Sequence, residues 1–328
     1  MFCPRLEHFV RLNQNGTIGR CGHMMDAVNF ESYTKLENST WLKDIKQQMS
    51  LDKWPKECVR CQQSESTKGE SVRTNSITRH KLLKPIKKDY LVVGGVLDNV
   101  CNSACQSCNP NLSTKIGSLE STDYKRIDNY VRFWELPQDR IVEIDVNGGE
   151  PTASRNYKKI LKHLPSNTKI VRMNTNGSRT IKELEDIMAN GIKVIVTMSL
   201  DGVGSVHDYT RWPIKWKDYT KTVEHYKKLK DRNKLMHLDM WTTVSCLNIN
   251  ILPEIIAYTK SEGIPHDWAF LEQPGVLNVR YTNKFTLGAK RMFPNQIAID
   301  KDNTQQLNAF IDRQDSLRGI DIKDYLNC

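Results

Sequence analysis

The sequence predicts an α/β fold, a partial (β/α)6 barrel preceded by a small α+β unit. From Tyr90 onward, short apolar runs alternate with amphipathic helical segments. That is the pattern of parallel strands joined by right-handed crossovers, with helices outside. Six such runs are too few for a closed eight-unit barrel, and no Gly-rich phosphate loop follows the first, so a curved, partly open barrel is expected. The first 73 residues are punctuated differently, by a hairpin, a helix and spaced cysteines.

In chain order, His8–Leu12, Asn13–Gly16 and Thr17–Cys21 read as two short strands around an Asn-Gly turn. The hairpin returns Cys3 and Cys21 toward one end. A helix is expected from Asn38, with Trp41, Leu42, Ile45 and Met49 on its apolar stripe and Pro55 beyond its end. Cys58-Val-Arg-Cys61 follows, a C-x2-C turn suited to delivering two thiolates to one metal. Cys3, Cys21, Cys58 and Cys61 are thus four candidate ligands, for zinc or for a complete iron-sulfur cluster; spacing does not separate the two. Residues 74–89 are polar, basic and interrupted by Pro85, and read as a connector. The core spans 90–275, with strands expected at Leu91–Leu97, Ile141–Val146, Lys169–Met173, Lys193–Leu200, Leu238–Cys246 and Asp267–Leu271. Helices are expected near 122–136, 155–163, 180–190, 216–231 and 251–262. Residues 276–328 form a C-terminal extension.

A chain of 328 residues with 38% hydrophobic content can bury a substantial core. No apolar run approaches a bilayer span and Met1–Val10 lacks the apolar region of a signal peptide, so no membrane association and a cytoplasmic location are expected. Nine cysteines, an odd number grouped as a triad and a C-x2-C pair, fit metal binding in a reducing compartment better than a disulfide framework. The net charge of +10 is concentrated in Arg79–Lys88 and Lys215–Lys234. Such stretches can bind nucleic acid, but charged helix faces are ordinarily solvated.

The chemistry centres on Cys101-Asn-Ser-Ala-Cys105-Gln-Ser-Cys108, a C-x3-C-x2-C run at the end of the first core strand. Three thiolates can hold three irons of a cubane and leave the fourth iron open to a small molecule. The rival readings are a zinc site with a borrowed ligand and three buried cysteines. In parallel architectures the loops after the strands converge on one mouth. Those loops here carry Asn147-Gly148-Gly149-Glu150-Pro151, Asn174-Thr-Asn176-Gly177, Ser199-Leu-Asp201-Gly202 and Asn248.

The triad, Gly148-Gly149-Glu150-Pro151 and Ser199-Leu-Asp201-Gly, in that order and at those strand ends, resemble the cluster, amino and ribose motifs of the radical S-adenosylmethionine (SAM) superfamily. The resemblance covers residues 90–271 and implies a partial TIM-like barrel. It also implies a 4Fe-4S cluster on Cys101, Cys105 and Cys108 that binds SAM and cleaves it reductively to a 5′-deoxyadenosyl radical. Glu150 would accept from the SAM ammonium, with Gly148 and Gly149 allowing close approach. Ser199, Asp201 and Asn176 would meet the ribose, and Arg211 the carboxylate. The N-terminal unit is similar to the twitch domain, a shortened SPASM module, with Cys3, Cys21, Cys58 and Cys61 as ligands of an auxiliary 4Fe-4S cluster. That module usually follows the barrel and here precedes it. The residue before the last triad cysteine, often aromatic in the superfamily, is Ser107. The implied partners are SAM, a reductant such as flavodoxin or ferredoxin, and a peptide or small-molecule substrate selected by the barrel lining and the 272–300 segment. The alternative is a non-enzymatic iron-sulfur or zinc protein that binds nucleic acid.

Overall fold

The computed structural model describes residues 1–121, 123–280 and 303–326. One sheet of eight strands organises it, in the order β2-β1-β3-β4-β5-β6-β7-β8. The strands are β1 Phe9–Leu12, β2 Ile18–Gly19, β3 Leu91–Asp98, β4 Ile141–Gly148, β5 Ile170–Thr175, β6 Lys193–Ser199, β7 Met236–Val244 and β8 His266–Phe270. Only β1 and β2 run antiparallel; every other neighbouring pair is parallel. The last six strands fall on the six apolar runs, each within two residues at its start. They form an open sheet of the partial-barrel kind.

Alternation along each strand sorts its two faces. On β7, Met236, Leu238 and Met240 are buried in the main core, whereas His237 and Trp241 are exposed on the opposite face. Helices Arg155–Lys162, Glu183–Ala189, Trp216–Arg232 and Leu252–Ser261 cover the buried face between successive strands. They contribute residues at helical spacing, among them Tyr157, Ile160 and Leu161, then Tyr219, Val223, Tyr226 and Leu229. Charged and polar side chains are left on the concave face.

The structure differs from the sequence expectation in three places. Of the helix expected near 122–136, only Tyr130–Trp134 is helical among the described residues, and another short helix, Thr114–Glu120, precedes that span. Ser121 turns left-handed at the end of that earlier helix. Asn129 is then drawn onto the sheet, its N–H donating to Leu97 O at 2.7 Å and its side chain to Val96 O and Asn13 O. Secondly, the 74–89 connector is mostly helix, Val72–Leu83. Ser71 and Thr74 form a reciprocal capping box at its start, and Pro85 lies past its end. Thirdly, the N-terminal hairpin is not a detached unit. Phe9, Val10, Arg11 and Leu12 pair in parallel with Val92, Val93, Gly94 and Gly95, so the sheet continues through it.

The rest of the N-terminal unit follows its sequence signals. Asn13 N–H donates to Thr17 O across the Asn-Gly turn. Ser39 caps the helix Thr40–Ser50, which buries Leu42, Ile45 and Met49. Helix Val72–Leu83 reaches the concave face through Arg79, whose Nε lies 2.6 Å from Oε2 of the fully buried Glu143 on β4. Arg172 of β5 holds the other oxygen of Glu143 at 2.5 Å. Among the described residues no helix is long and apolar enough to cross a membrane. Residues 281–302, which include most of the 272–300 segment, and Cys328 lie outside the described residues.

A second ion pair, between a buried arginine and a half-buried glutamate, fixes the N-terminal unit. Arg20 is fully buried, donates to Phe9 O at 2.9 Å and pairs with Glu37. Removing one member of such a pair leaves an uncompensated charge. Glu37→Ala is therefore expected to lower stability by about 3–5 kcal/mol, read as a reduced urea midpoint with an unchanged slope.

Candidate active site

The site is built where the end of β4 crosses the backbone leaving β3. Gly149 N–H donates to Asp98 O at 2.9 Å and Glu150 N–H to Val100 O at 2.8 Å. A side chain has no room there. A Cβ on Gly148, whose φ is +149°, would lie 1.9 Å from Asp98 O, and one on Gly149 would lie 2.2 Å from Val100 O. The two glycines thus let β4 close against the strand end that leads into Cys101.

The triad loop is pinned from several sides. Thr114 Oγ1 accepts from Cys101 N and donates to Cys101 O, and Ser113 donates to Ser103 O at 2.6 Å. Ala104 N–H donates to Trp212 O at 2.7 Å and Gln106 N–H to Thr210 O at 3.0 Å. Cys101, Cys105 and Cys108 border one open cavity of about 300 Å³, together with Ser107, Asn147, Gly148, Gly149, Glu150, Asn174, Asn176, Ser199 and Arg211.

Glu150 is buried, and both carboxylate oxygens are held. Oε1 accepts from Thr175 Oγ1 at 2.7 Å and from Thr152 N at 3.0 Å, and Oε2 from Asn176 N at 2.6 Å. Three donors fix its orientation. Asn176 lines the cavity, but its amide group is engaged with the triad loop, donating to Asn102 Oδ1 and Ser103 Oγ. Ser199 reaches the cavity from the end of β6.

Asp201 is placed differently from the other predicted residues. It does not line the cavity: one oxygen accepts from Arg211 Nη1 at 2.8 Å and the other from Thr243 N at 2.9 Å. It acts on the site through Arg211. Burial alone would depress the Arg211 pKa, but Cys105 and Asp201 more than offset it and hold the guanidinium charged. Asn248 Nδ2 donates to Asp201 O and Thr243 O, closing the turn instead of facing the cavity.

Burial raises the Cys101 thiol pKa, and that of Cys108 to about 12, with neighbouring thiolates adding to the shift. Metal-free, these groups are neutral thiols; a thiolate set here requires metal cations to compensate it. Among the described residues no three His, Cys, Asp or Glu side chains converge on a single-ion site. The triad borders a volume, as a many-atom cluster requires.

Residues 97–242 match the family model of the radical SAM superfamily. They form a radical SAM domain. The chain thus carries, over somewhat less than half of its length, the domain of enzymes that use SAM and a 4Fe-4S cluster. No curated protein matches the sequence. Among solved structures the chain is similar to SuiB of Streptococcus suis bound to S-adenosylmethionine, at 12% identity and a TM-score of 0.43, over 95% of this chain and 70% of that one. It is likewise similar to SuiB bound to precursor peptide SuiA, at 13% identity and a TM-score of 0.43, over 96% and 70%. A further similar structure is TsrM of Kitasatospora setae, a radical S-adenosylmethionine methyltransferase with cobalamin and a 4Fe-4S cluster bound, at 11% identity and a TM-score of 0.35, over 56% and 37%.

The donor set of the radical SAM domain fits those cofactors. Three thiols, a fixed carboxylate and a charged guanidinium face one cavity at the carboxyl ends of parallel strands. The non-enzymatic alternative has no use for that set. Cys246, outside it, is a buried residue of a second apolar cluster. Sequence reasoning missed the supports of the loop, Asn102, Ser103, Ser113 and Thr114. The only signal was that Ser and Asn follow the cysteines closely, which is also how a plain turn reads.

Gly149→Ala forces the Val100 carbonyl away from β4. It is expected to cut iron bound at the triad by at least about ten-fold while the β7–β8 side stays folded, since overpacking costs of order 1–3 kcal/mol locally. Iron analysis and circular dichroism of the reconstituted variant test this.

Proposed function

We propose that the enzyme abstracts a hydrogen atom from a peptide or small-molecule substrate on the concave face, and that a second cluster, on Cys3, Cys21, Cys58 and Cys61, takes up the electron left behind. When bound, the triad cluster and SAM supply a 5′-deoxyadenosyl radical after one electron from a reductant such as flavodoxin or ferredoxin. Glu150, Ser199 and Arg211 bind and orient SAM, and Asp201 holds Arg211 in place. The substrate then loses a hydrogen atom to the radical, giving 5′-deoxyadenosine, followed by one electron and one proton, a two-electron oxidation overall.

The observation that carries this reading is the convergence of the triad, Glu150, Ser199 and Arg211 on one cavity. The second-cluster role is supported by the four N-terminal cysteines bordering one small separate cavity, of about 20 Å³. Leu6, Met24, Met49 and Trp54 shield it, and Arg5, His23 and Arg73 stand beside it. Burial pushes the Cys3 thiol up to about 11 and the Cys58 thiol to about 12, so these too need metal to become thiolates.

The place between the two sites suits a substrate. A cavity of about 420 Å³ is bordered by Arg5, Val72, Arg79 and Arg172. Arg5 and Val72 also border the four-cysteine cavity, and Arg172 lies two residues before Asn174, which borders the SAM cavity. Arg79 and Arg172 there are already engaged with Glu143, so a substrate carboxylate would meet Arg5.

Anaerobic reconstitution with dithionite and SAM is expected to yield 5′-deoxyadenosine from protein holding about eight irons, the load of two cubanes. Fully loaded protein that leaves SAM intact would sink the proposal. In the double variant Cys58→Ala, Cys61→Ala, SAM cleavage should continue at about four irons per chain while oxidised product disappears. Unimpaired product formation would remove the electron-acceptor role.

A further inference from the structure

The C-terminal helix Thr304–Arg318 delivers a buried cation to the triad loop. Its last residue, Arg318, is 8% exposed and donates from Nε at 3.1 Å and Nη2 at 2.8 Å to the carbonyl of Ala104, between Cys101 and Cys105. Nη1 donates to the neutral Gln314 Oε1 at 2.6 Å. Among the described residues no carboxylate forms an ion pair with Arg318; that of Asp315 accepts from Tyr209 Oη at 2.9 Å and Ile322 N at 2.7 Å.

The helix is held firmly. Leu307 and Ile311 pack into the apolar cluster of Tyr209, Leu247, Leu271 and Leu277. A buried guanidinium without a carboxylate is costly unless negative charge faces it. Arg211 already has Asp201. Arg318 has the carbonyl next to Cys105, and Tyr209, Cys105, Asp315 and Glu120 lie within electrostatic reach of it.

We propose that Arg318 is a positioning residue of the triad site: it fixes the Ala104 carbonyl and, as a buried cation beside the cysteine loop, favours the reduced, more negative state of the cluster. This rests on the reading of Cys101, Cys105 and Cys108 as ligands of the SAM-binding cluster. A purely structural role would affect how much cluster is held. It would not set the potential of the cluster that remains.

The test is a redox titration of reconstituted wild-type enzyme and three variants. It follows the part of the reduced-cluster EPR signal that changes on adding SAM, with iron content measured alongside. Arg318→Gln removes the cation, and its reduced-to-oxidised ratio at fixed potential should fall about ten-fold, which for one electron is about 59 mV. Gln314→Glu leaves Arg318 in place but sets a carboxylate against it, and should shift the ratio in the same direction. Arg318→Lys keeps the charge and should stay within about two-fold of wild type, even if the weaker grip on Ala104 lowers iron content. Unshifted potentials in Arg318→Gln and Gln314→Glu would overturn the inference. If Arg318→Gln fails to fold, Gln314→Glu decides alone. A wild-type protein with iron but no SAM-responsive signal would overturn the triad-cluster reading, and this inference with it.

Discussion

The site depends on one close approach, that of Gly148 and Gly149 at the end of β4 to Asp98–Val100 at the end of β3. Two backbone hydrogen bonds cross there, and a Cβ on either glycine would overlap a carbonyl oxygen. The approach sets the cysteine loop and Glu150 at a fixed separation, because both leave the same crossing point on rigid strands. Glu150 is then locked by Thr175 and Asn176 from β5 and the turn after it, and Asn176 passes the restraint on to Asn102 and Ser103. Three strand ends are joined into one rigid rim.

Charge balance is the second constraint. Buried thiols resist ionisation, so the ligand set forms only together with metal and with nearby cations that face the resulting thiolates. The protein supplies two buried arginines from distant parts of the chain. Arg211 is tied to Asp201 and borders the cavity, whereas Arg318 stands behind the loop. One cation thus faces the ligand side and the other the protein side of the same loop, and neither can move without disturbing a buried hydrogen bond.

Much of the barrel was legible because period and punctuation agreed. All six core strands fall on apolar runs, and the cavity gathers the triad, Glu150, Asn176, Ser199 and Arg211, each named from strand-end position or motif. Elsewhere the deciding contacts were long-range. Helix Val72–Leu83 was hidden because its residues are polar and its apolar stripe is weak; its capping box was the overlooked signal. The break at 121–129 comes from Asn129 bonding to Val96, Leu97 and Asn13, partners that no local pattern reveals. Asp201, expected at the SAM ribose from its motif, accepts from the arginine ten residues on, a contact its Asp-Gly setting does not announce. Arg318 lies 214 residues from its acceptor, so no spacing rule could join them.

The parallel pairing of β1 with β3 changes what the N-terminal cysteines mean. A module hung on a flexible connector would leave their distance from the triad undefined. Here Cys3 opens the helix leading into β1, Cys21 follows β2, and β1 is hydrogen-bonded along β3, the strand that ends in the triad. Helix Val72–Leu83 closes the remaining side and ties itself to β4 through Arg79 and Glu143. Both cysteine sites are therefore referenced to one sheet, and their separation is set by strand geometry. The proposed electron exchange across a substrate would need that fixed distance, and a continuous sheet would provide it whether the module precedes or follows the barrel in sequence.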